Sequence, residues 1–332
     1  MQTLEPIDMP NAAHLSLSKI IGDYDGPIRR YIFSTAETRD IVNKPDVMGM
    51  DYTEKLESGL MHLLTGFRPH HFDNLHEDQV NVFNFLRGGL NFGLRQALHR
   101  AYGWNFHRTS FMSSQRARDK NGRWYITEDS YRKITIAKGS VVFCGDVVAT
   151  GITLESGLEA LTEEIVKRNA SLKYFIFFTI GCHKAEKILQ KYYDLWKKRF
   201  KDFEGIDLFY IEGKFHLADS KTPVSIKLQG TDLLRRDSLL MPAFIEAQEE
   251  DSRFALERCT IYDAGSRAYD IEEYKADVHE YWEEVEKLAK HGMTTKEYLL
   301  ERFPEASPTL LEHAQKKSLT DIARERIDRF SS

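Results

Sequence analysis

Short β-favouring apolar runs alternate along the middle of the chain with stretches in which apolar residues recur every three or four positions, so strands and helices are expected in turn. Residues 79–86 (QVNVFNFL) read as a strand, RGGL interrupts them, and residues 91–103 (NFGLRQALHRAYG) read as a helix stopped by Gly103. Residues 104–112 (WNFHRTSFM) predict another strand and 116–123 (RARDKNGR) a charged turn. Two more strands, RKITIA (132–137) and SVVFCGD (140–146), flank a Lys138-Gly139 turn, and an amphipathic helix follows over 153–169. KYFIFFTIG (173–181) is a nearly continuous apolar run, the pattern of a parallel strand covered on both faces. Residues 183–200 then predict a long helix and 206–212 (IDLFYIE) a last strand. Strand and helix alternating in this way imply an α/β fold with a parallel sheet. In such sheets ligands lie beyond the carboxyl ends of the strands, where RGGL, GDVVATGIT and the loop Gly181-Cys182-His183-Lys184 fall.

The flanks have a different texture. Residues 1–74 are polar and mixed, with a helix expected around YIFSTAETRDIV (31–42), and read as an N-terminal arm or cap on a core of residues 75–215. Residues 216–332 form a C-terminal extension that is mainly helical. Its alternating charges, as in YKADVHEYWEEVEKLAKHG (274–292), suit solvated helix faces, packing or a homodimer contact.

Composition narrows the function classes. At 332 residues, 42% of them hydrophobic, the chain can bury a sizeable core. Lys and Arg number 46 against 51 Asp and Glu, a net charge of -5, so no overall electrostatic footprint for nucleic acid is present. MQTLEPIDMPNAAHL has neither a basic start with an apolar run nor a cleavage site, and YFIFFTI is too short to span a bilayer; no membrane partner and a cytoplasmic location are expected. Cys144, Cys182 and Cys259 are widely separated and suit reduced, buried thiols. His70, His71 and His76 lack acidic or cysteine partners at a ligand spacing, so no metal site is expected there.

The segment after SVVFC carries the most specific chemistry. A strand that runs into small residues and then into a helix presents several backbone N–H groups in one direction, and these with the positive helix end form an anion site. Thr150 and Thr153 add hydroxyls, and Gly151 lets a ligand approach the main chain. The helix end contributes about 0.3–1 kcal/mol and each hydrogen bond to a charged group about 1.5–3 kcal/mol, together enough to hold a phosphate monoester. The segment lacks the Gly-Lys-Ser/Thr ending of a nucleoside-triphosphate loop and the three-glycine dinucleotide fingerprint. Asp146, before Thr150, can accept hydrogen bonds from sugar hydroxyls, so the ligand implied is a sugar phosphate.

On these residues VVFCGDVVATGIT (141–153) resembles the 5-phosphoribosyl-1-pyrophosphate (PRPP) motif of the type I phosphoribosyltransferases. QVNVFNFLRGGLNFG (79–93) is similar to that family's pyrophosphate loop, closest in flavour to the uracil and adenine enzymes. The resemblance covers approximately residues 75–211 and implies a parallel-sheet phosphoribosyltransferase-like core. By position, it implies that Asp146 binds the ribose hydroxyls, that Val147 and Val148 are the apolar pair, and that Ala149, Thr150, Gly151, Ile152 and Thr153 cradle the 5′-phosphate. Arg87, with Gly88 and Gly89, would hold the pyrophosphate. Arg116 and Arg118, with Lys120 and Arg123, would sit on a flap that closes over the polyanion, and the Gly181–Lys184 loop would lie near the nucleobase.

The implied reaction is displacement of pyrophosphate from C1 of PRPP by a nitrogen of an unidentified small acceptor, with Mg2+ bound along with PRPP. Three departures bear on it. Gly145 stands where the family has its first acid, which removes a charge-assisted hydrogen bond of about 1.5–3 kcal/mol, roughly ten- to a hundredfold in affinity. Ala149 disfavours a hypoxanthine-guanine enzyme, and Ile152 replaces a common glycine, which is tolerable without a positive φ. Gly145 also favours an alternative: a non-catalytic regulatory or binding protein on the same fold that senses PRPP or a nucleotide. Arg235, Arg236 and Asp237 are candidate contacts for a larger acceptor.

Overall fold

The computed structural model describes the chain apart from residues 1, 10, 11, 13, 23–25, 70, 71, 74, 87, 119–123, 228, 229, 258–263 and 332, and for 114–118, 124–130 and 264 the backbone alone. The centre of its sheet is parallel. β3 (Ile28–Ser34), β9 (Gly205–Leu217), β8 (Leu172–Cys182), β7 (Ser140–Val148), β4 (Val80–Phe85) and β5 (Arg108–Arg118) lie side by side in that order. Antiparallel strands finish it: β2 (Ser16–Ile21) and β1 (Thr3–Pro6) beyond β3, β6 (Trp124–Lys133) beyond β5, and β10 (Leu233–Leu240) on β9.

Parallel neighbours need a crossover, and the sequence supplies helices there. α4 (Ile152–Lys167) links β7 to β8, and α5 (His183–Arg199) links β8 to β9. β8 is buried along its length except at Lys173, because helices cover both faces of the sheet. Trp196 of α5 packs edge-on against Phe175 and donates from Nε1 to Thr162 Oγ1 of α4 at 2.8 Å, so the indole reaches the interior with its polar group satisfied. α3 (Leu94–Tyr102) follows β4, as the sequence pattern predicts, and ends at Gly103 in the left-handed region.

The structure differs from the sequence reading in several places. The helix expected over 31–42 begins only at α1 (Ala36–Asn43), because Tyr31, Ile32 and Phe33 belong to β3 and are buried in its parallel pairing with β9. Thr35 ends that strand and caps the helix: its hydroxyl accepts from the Thr38 amide at 3.2 Å, while Thr38 Oγ1 accepts from the Thr35 amide at 2.8 Å. In RKITIA only Arg132 and Lys133 are strand. The Thr135 amide and carbonyl are taken by side chains, Ser110 Oγ at 2.9 Å and Asn81 Nδ2 at 2.7 Å, in place of a ladder. β9 continues through Leu217, and β10, not foreseen, pairs with its far half.

Strands β1–β3 of the N-terminal segment are part of the sheet, and α2 (Gly49–Gly66) packs on α3. The C-terminal extension is helical after β10, with α6 (Pro242–Glu250), α7 (Ala264–Tyr269), α8 (Ile271–Lys290), α9 (Thr295–Arg302), α10 (Pro308–Ala314) and α11 (Leu319–Phe330). One buried apolar cluster runs from Leu15 to Phe330. Arg267 of α7, 1% exposed, donates to the carbonyls of Ile41 at 2.8 Å, Val47 at 2.6 Å and Lys44, satisfying acceptors that the end of α1 leaves open. Among the described residues no helix is long and apolar enough to cross a membrane.

Candidate functional site

The corner where β7 enters α4 holds most of the residues singled out in the sequence. Asp146 lies within β7, in register with Thr179 of β8, and the strand runs on through Val147 and Val148. The connection is therefore only Ala149-Thr150-Gly151. Val148 is buried and Val147 half-buried against the apolar core, so this pair anchors the strand. Ala149, Thr150, Ile152 and Thr153 are half-buried.

Gly151 is the N-cap residue of α4, with φ 81° in the left-handed region. A Cβ there would overlap Cδ1 of Ile188 and stand 3.7 Å from Cβ of Lys184, both on α5. Ile152 is already helical, so the positive φ falls on glycine and not on a β-branched residue. No side chain caps this helix, although Thr150 Oγ1 accepts weakly from the Ile152 amide at 3.5 Å. α5 starts beside it and is also without a side-chain cap. The expected Gly181–Lys184 loop is not a loop: Gly181 and Cys182 complete β8, and His183 and Lys184 open α5. Cys182 Sγ donates to the Ala149 carbonyl at 3.3 Å, tying the end of β8 to the connection. Burial, followed by the charges of Lys187, Lys184 and Lys214, holds His183 below the usual imidazole range.

The second predicted loop meets the first. After β4, residues Gly88–Phe92 form a 3-10 turn. A Cβ at Gly88 would stand 3.0 Å from Asp146 Oδ1, and one at Gly89 would stand 3.0 Å from the Gly145 carbonyl and 3.3 Å from Phe85 Cβ. A side chain at either glycine would need its neighbour to give by a few tenths of an ångström, the Asp146 carboxylate at Gly88 and the Gly145 backbone at Gly89. Asp146 itself is 8% exposed. Burial, and after it the charge of Asp146, pushes the neighbouring Cys144 thiol well up. Arg87 lies outside the described residues.

Gly145 has a neighbour that the sequence did not reveal. A Cβ at this position would overlap Cδ1 of Phe92 and stand 2.5 Å from its Cγ and 3.0 Å from its Cβ. Phe92 is 1% exposed, so its ring fills the space that a side chain at 145 would need. Phe92 belongs to the NFG stretch after RGGL, yet no local pattern signals that it meets residue 145, since the contact exists only once β4 and β7 pair. Arg116 and Arg118 lie at the end of β5, in backbone register with Ile126 and Trp124 of β6, while Lys120 and Arg123 fall outside the described residues. Arg235 and Arg236 are committed inside the protein: Arg235 is 2% exposed and donates to the Glu257 carbonyl at 3.5 Å, and Arg236 donates to that of Glu301 at 2.7 Å. Two cavities, about 630 Å³ among residues 289–320 and about 290 Å³ beside Ile7 and Phe67, include no residue of this corner.

No family model matches this sequence, and no curated protein does either. Solved structures to which it is similar include a hypoxanthine-guanine phosphoribosyltransferase from Bacillus anthracis, at 16% identity over 39% of this chain and 67% of the other, TM-score 0.26. A hypoxanthine phosphoribosyltransferase from Staphylococcus aureus aligns at 16% identity over 41% of this chain and 65% of its own, just under two thirds, TM-score 0.26. A purine phosphoribosyltransferase from Pyrococcus horikoshii aligns at 19% identity over 37% and 73%, TM-score 0.22. At such values the likeness bears on no residue's role.

Chemically, the corner offers a carboxylate, a close-approach glycine turn and an uncapped helix start at the carboxyl ends of central parallel strands. That is a combination of one hydrogen-bond acceptor for hydroxyls and two stretches of main chain suited to anions.

Proposed function

We propose that the protein transfers the 5-phosphoribosyl group of PRPP to a nitrogen of a small acceptor, a nucleobase or related compound, and releases pyrophosphate. The observation that carries this reading is the meeting of Asp146 with the Gly88 turn, a few residues before the open start of α4. The amides at the start of α4 hold the 5′-phosphate, Asp146 accepts from the ribose, and the main chain at Gly88 and Gly89 borders the diphosphate. Attack on C1 then proceeds through an oxocarbenium-like transition state, where fixed dipoles and positioning supply most of the acceleration. Magnesium is expected to arrive bound to the diphosphate, where it would neutralise charge on the leaving group.

A second reading is favoured by Phe92: with its ring in place of a side chain at 145, the corner keeps one carboxylate, which suits a protein that senses PRPP or a nucleotide without turnover. One experiment separates the two. Pyrophosphate release from Mg·PRPP is followed with a panel of nucleobases while PRPP binding is titrated. Release with any acceptor supports the transferase; binding with no release supports the sensor; absence of PRPP binding removes both.

A further inference from the structure

We infer that the 5′-phosphate is held between two helix starts, those of α4 and α5, and that Lys184 is the side chain that neutralises it. The inference rests on the sugar-phosphate reading above and adds a binding residue to it, Lys184, whose segment the sequence resemblance places near the nucleobase instead. The two starts form one joint. Val148 and Gly181, in register, are the last paired residues of β7 and β8, and both helices begin just beyond that pair. A Cβ on Gly151, the N-cap residue of α4, would stand 3.7 Å from Cβ of Lys184, so this lysine leaves α5 on the side of the connection proposed to hold the phosphate. Neither helix has a side-chain cap.

The charges at the start of α5 are unbalanced. The first turn of a helix favours acids and disfavours cations, yet α5 opens with His183 and Lys184, and Lys187 follows. The acid of that turn, Glu186, is committed elsewhere: Lys214 of β9 stands 3.2 and 3.3 Å from its two oxygens, and Arg30 of β3 stands 3.6 Å from one of them. Among the described residues the Lys184 ammonium makes no ion pair or hydrogen bond. The positive excess acts on His183, which burial and then Lys187, Lys184 and Lys214 hold below the usual imidazole range against the pull of Glu186. A buried polar group is left over as well. Thr179 Oγ1 is buried and makes no hydrogen bond among the described residues, and a Cβ on Gly181 would stand 2.8 Å from it, so the hydroxyl lies against the space that this glycine leaves. A phosphate at the joint meets the amides of two helices and a lysine, and it removes the conflict at the start of α5. Lysine suits the task because its flexible stem carries a point charge to the anion without demanding one geometry.

The test is a calorimetric titration of the full chain with ribose 5-phosphate, with Lys187→Ala, an exposed position in the same cluster, as the control for charge alone. Lys184→Ala should bind about tenfold or more weaker with Tm unchanged, and Lys187→Ala should stay within about threefold of the unaltered chain. If Lys184→Ala also stays within about threefold, the inference is overturned and the sugar-phosphate reading stands, with the phosphate on α4 alone. If both alanine variants lose affinity equally, the lysines act as a diffuse field and the assignment to Lys184 is overturned. Failure of the unaltered chain to bind ribose 5-phosphate overturns that reading and the inference together. A second measurement needs no substitution at Lys184: the His183 pKa, followed by NMR in the unaltered chain, should rise on saturation with ribose 5-phosphate, because the anion offsets the lysines around the ring. A value that stays put or falls would set the phosphate away from α5 and overturn the inference. Should Lys184→Ala unfold, this second measurement decides alone.

Discussion

Two carboxylates on the same sheet, each beside a helix start, have opposite fates. Asp146 on β7 lies near α4, which begins at a left-handed glycine with no side-chain cap. Glu212 on β9 lies beside α1, which begins at Thr35 with a complete capping box. Glu212 is 0% exposed, adopts φ 63° although it is not glycine, and accepts a hydrogen bond from the Thr38 hydroxyl. Burial pushes its carboxyl up to about 8, against the hydrogen bonds of Thr38 and Ser34 and the charge of Arg39. A helix start favours a carboxylate by about 0.3–1 kcal/mol, and here burial outweighs it. At β9 the protein answers its own helix start with threonines and a protonated acid. At β7 it leaves the start to glycine, without a side-chain cap. The chemistry of the ends, more than their place on the sheet, separates a structural joint from the corner proposed to bind.

That contrast predicts where substitutions act. The largest effect belongs to Gly151→Val. A β-branched residue at φ 81° is strained by about 1–3 kcal/mol, and its side chain would overlap Ile188, so the amides at the start of α4 lose their arrangement. Affinity for PRPP should fall about a hundredfold or more, with a lower Tm; calorimetry and thermal unfolding check both, and wild-type affinity would remove the phosphate cradle from this corner. Next is Asp146→Asn, which keeps the shape and removes the charge. Binding or turnover should drop roughly ten- to a hundredfold with the folded state retained by circular dichroism. Thr150→Ala should cost about tenfold, since it removes one hydroxyl and its contact with the Ile152 amide. Unchanged binding in both of these variants would dissolve the comparison, leaving two structural corners.

Much of this arrangement was legible in the chain itself. β4, β7, β8 and the first half of β9 announce themselves because strands buried on both faces must be apolar almost throughout, as LKYFIFFTIGC is. The glycines of RGGL and ATGIT marked the two turns: Gly151 has a left-handed φ, and Gly88 and Gly89 lie in close contact with β7. Strands β1 and β2 were not legible: each is short, and β2 mixes Ser and Lys with apolar residues, with buried and exposed positions in no alternating order. β3 escaped notice because its partner lies far along the chain, Arg29 opposite Asp207. Phe92 against Gly145 and Glu212 against Thr38 are contacts of the same long-range kind. No window of neighbouring residues carries them, which is why the carboxylate was foreseen and the ring beside it was not.

The smallest effect on the ligand, and the sharpest check on the structural half of the comparison, is Glu212→Gln. A joint that the protein satisfies internally should leave PRPP affinity within about twofold, because the residue does not face the β7 corner. Stability should respond instead, and with a definite sign. The ordinary carboxyl value is 4.5 and the folded one about 8, so between these the unfolded chain releases the Glu212 proton while the native protein keeps it. Wild-type stability contributed by this group is therefore complete at low pH and declines as pH rises from about 4.5 through about 8. Glutamine neither gains nor loses a proton, so the variant should lack that decline, and the gap between the two proteins should widen in the variant's favour toward pH 8. Urea unfolding of both at pH 5, 6, 7 and 8 measures it. Parallel curves across that range would mean that Glu212 is ionised in the native protein, and that the joint at β9 resembles the β7 corner more closely than its burial suggests.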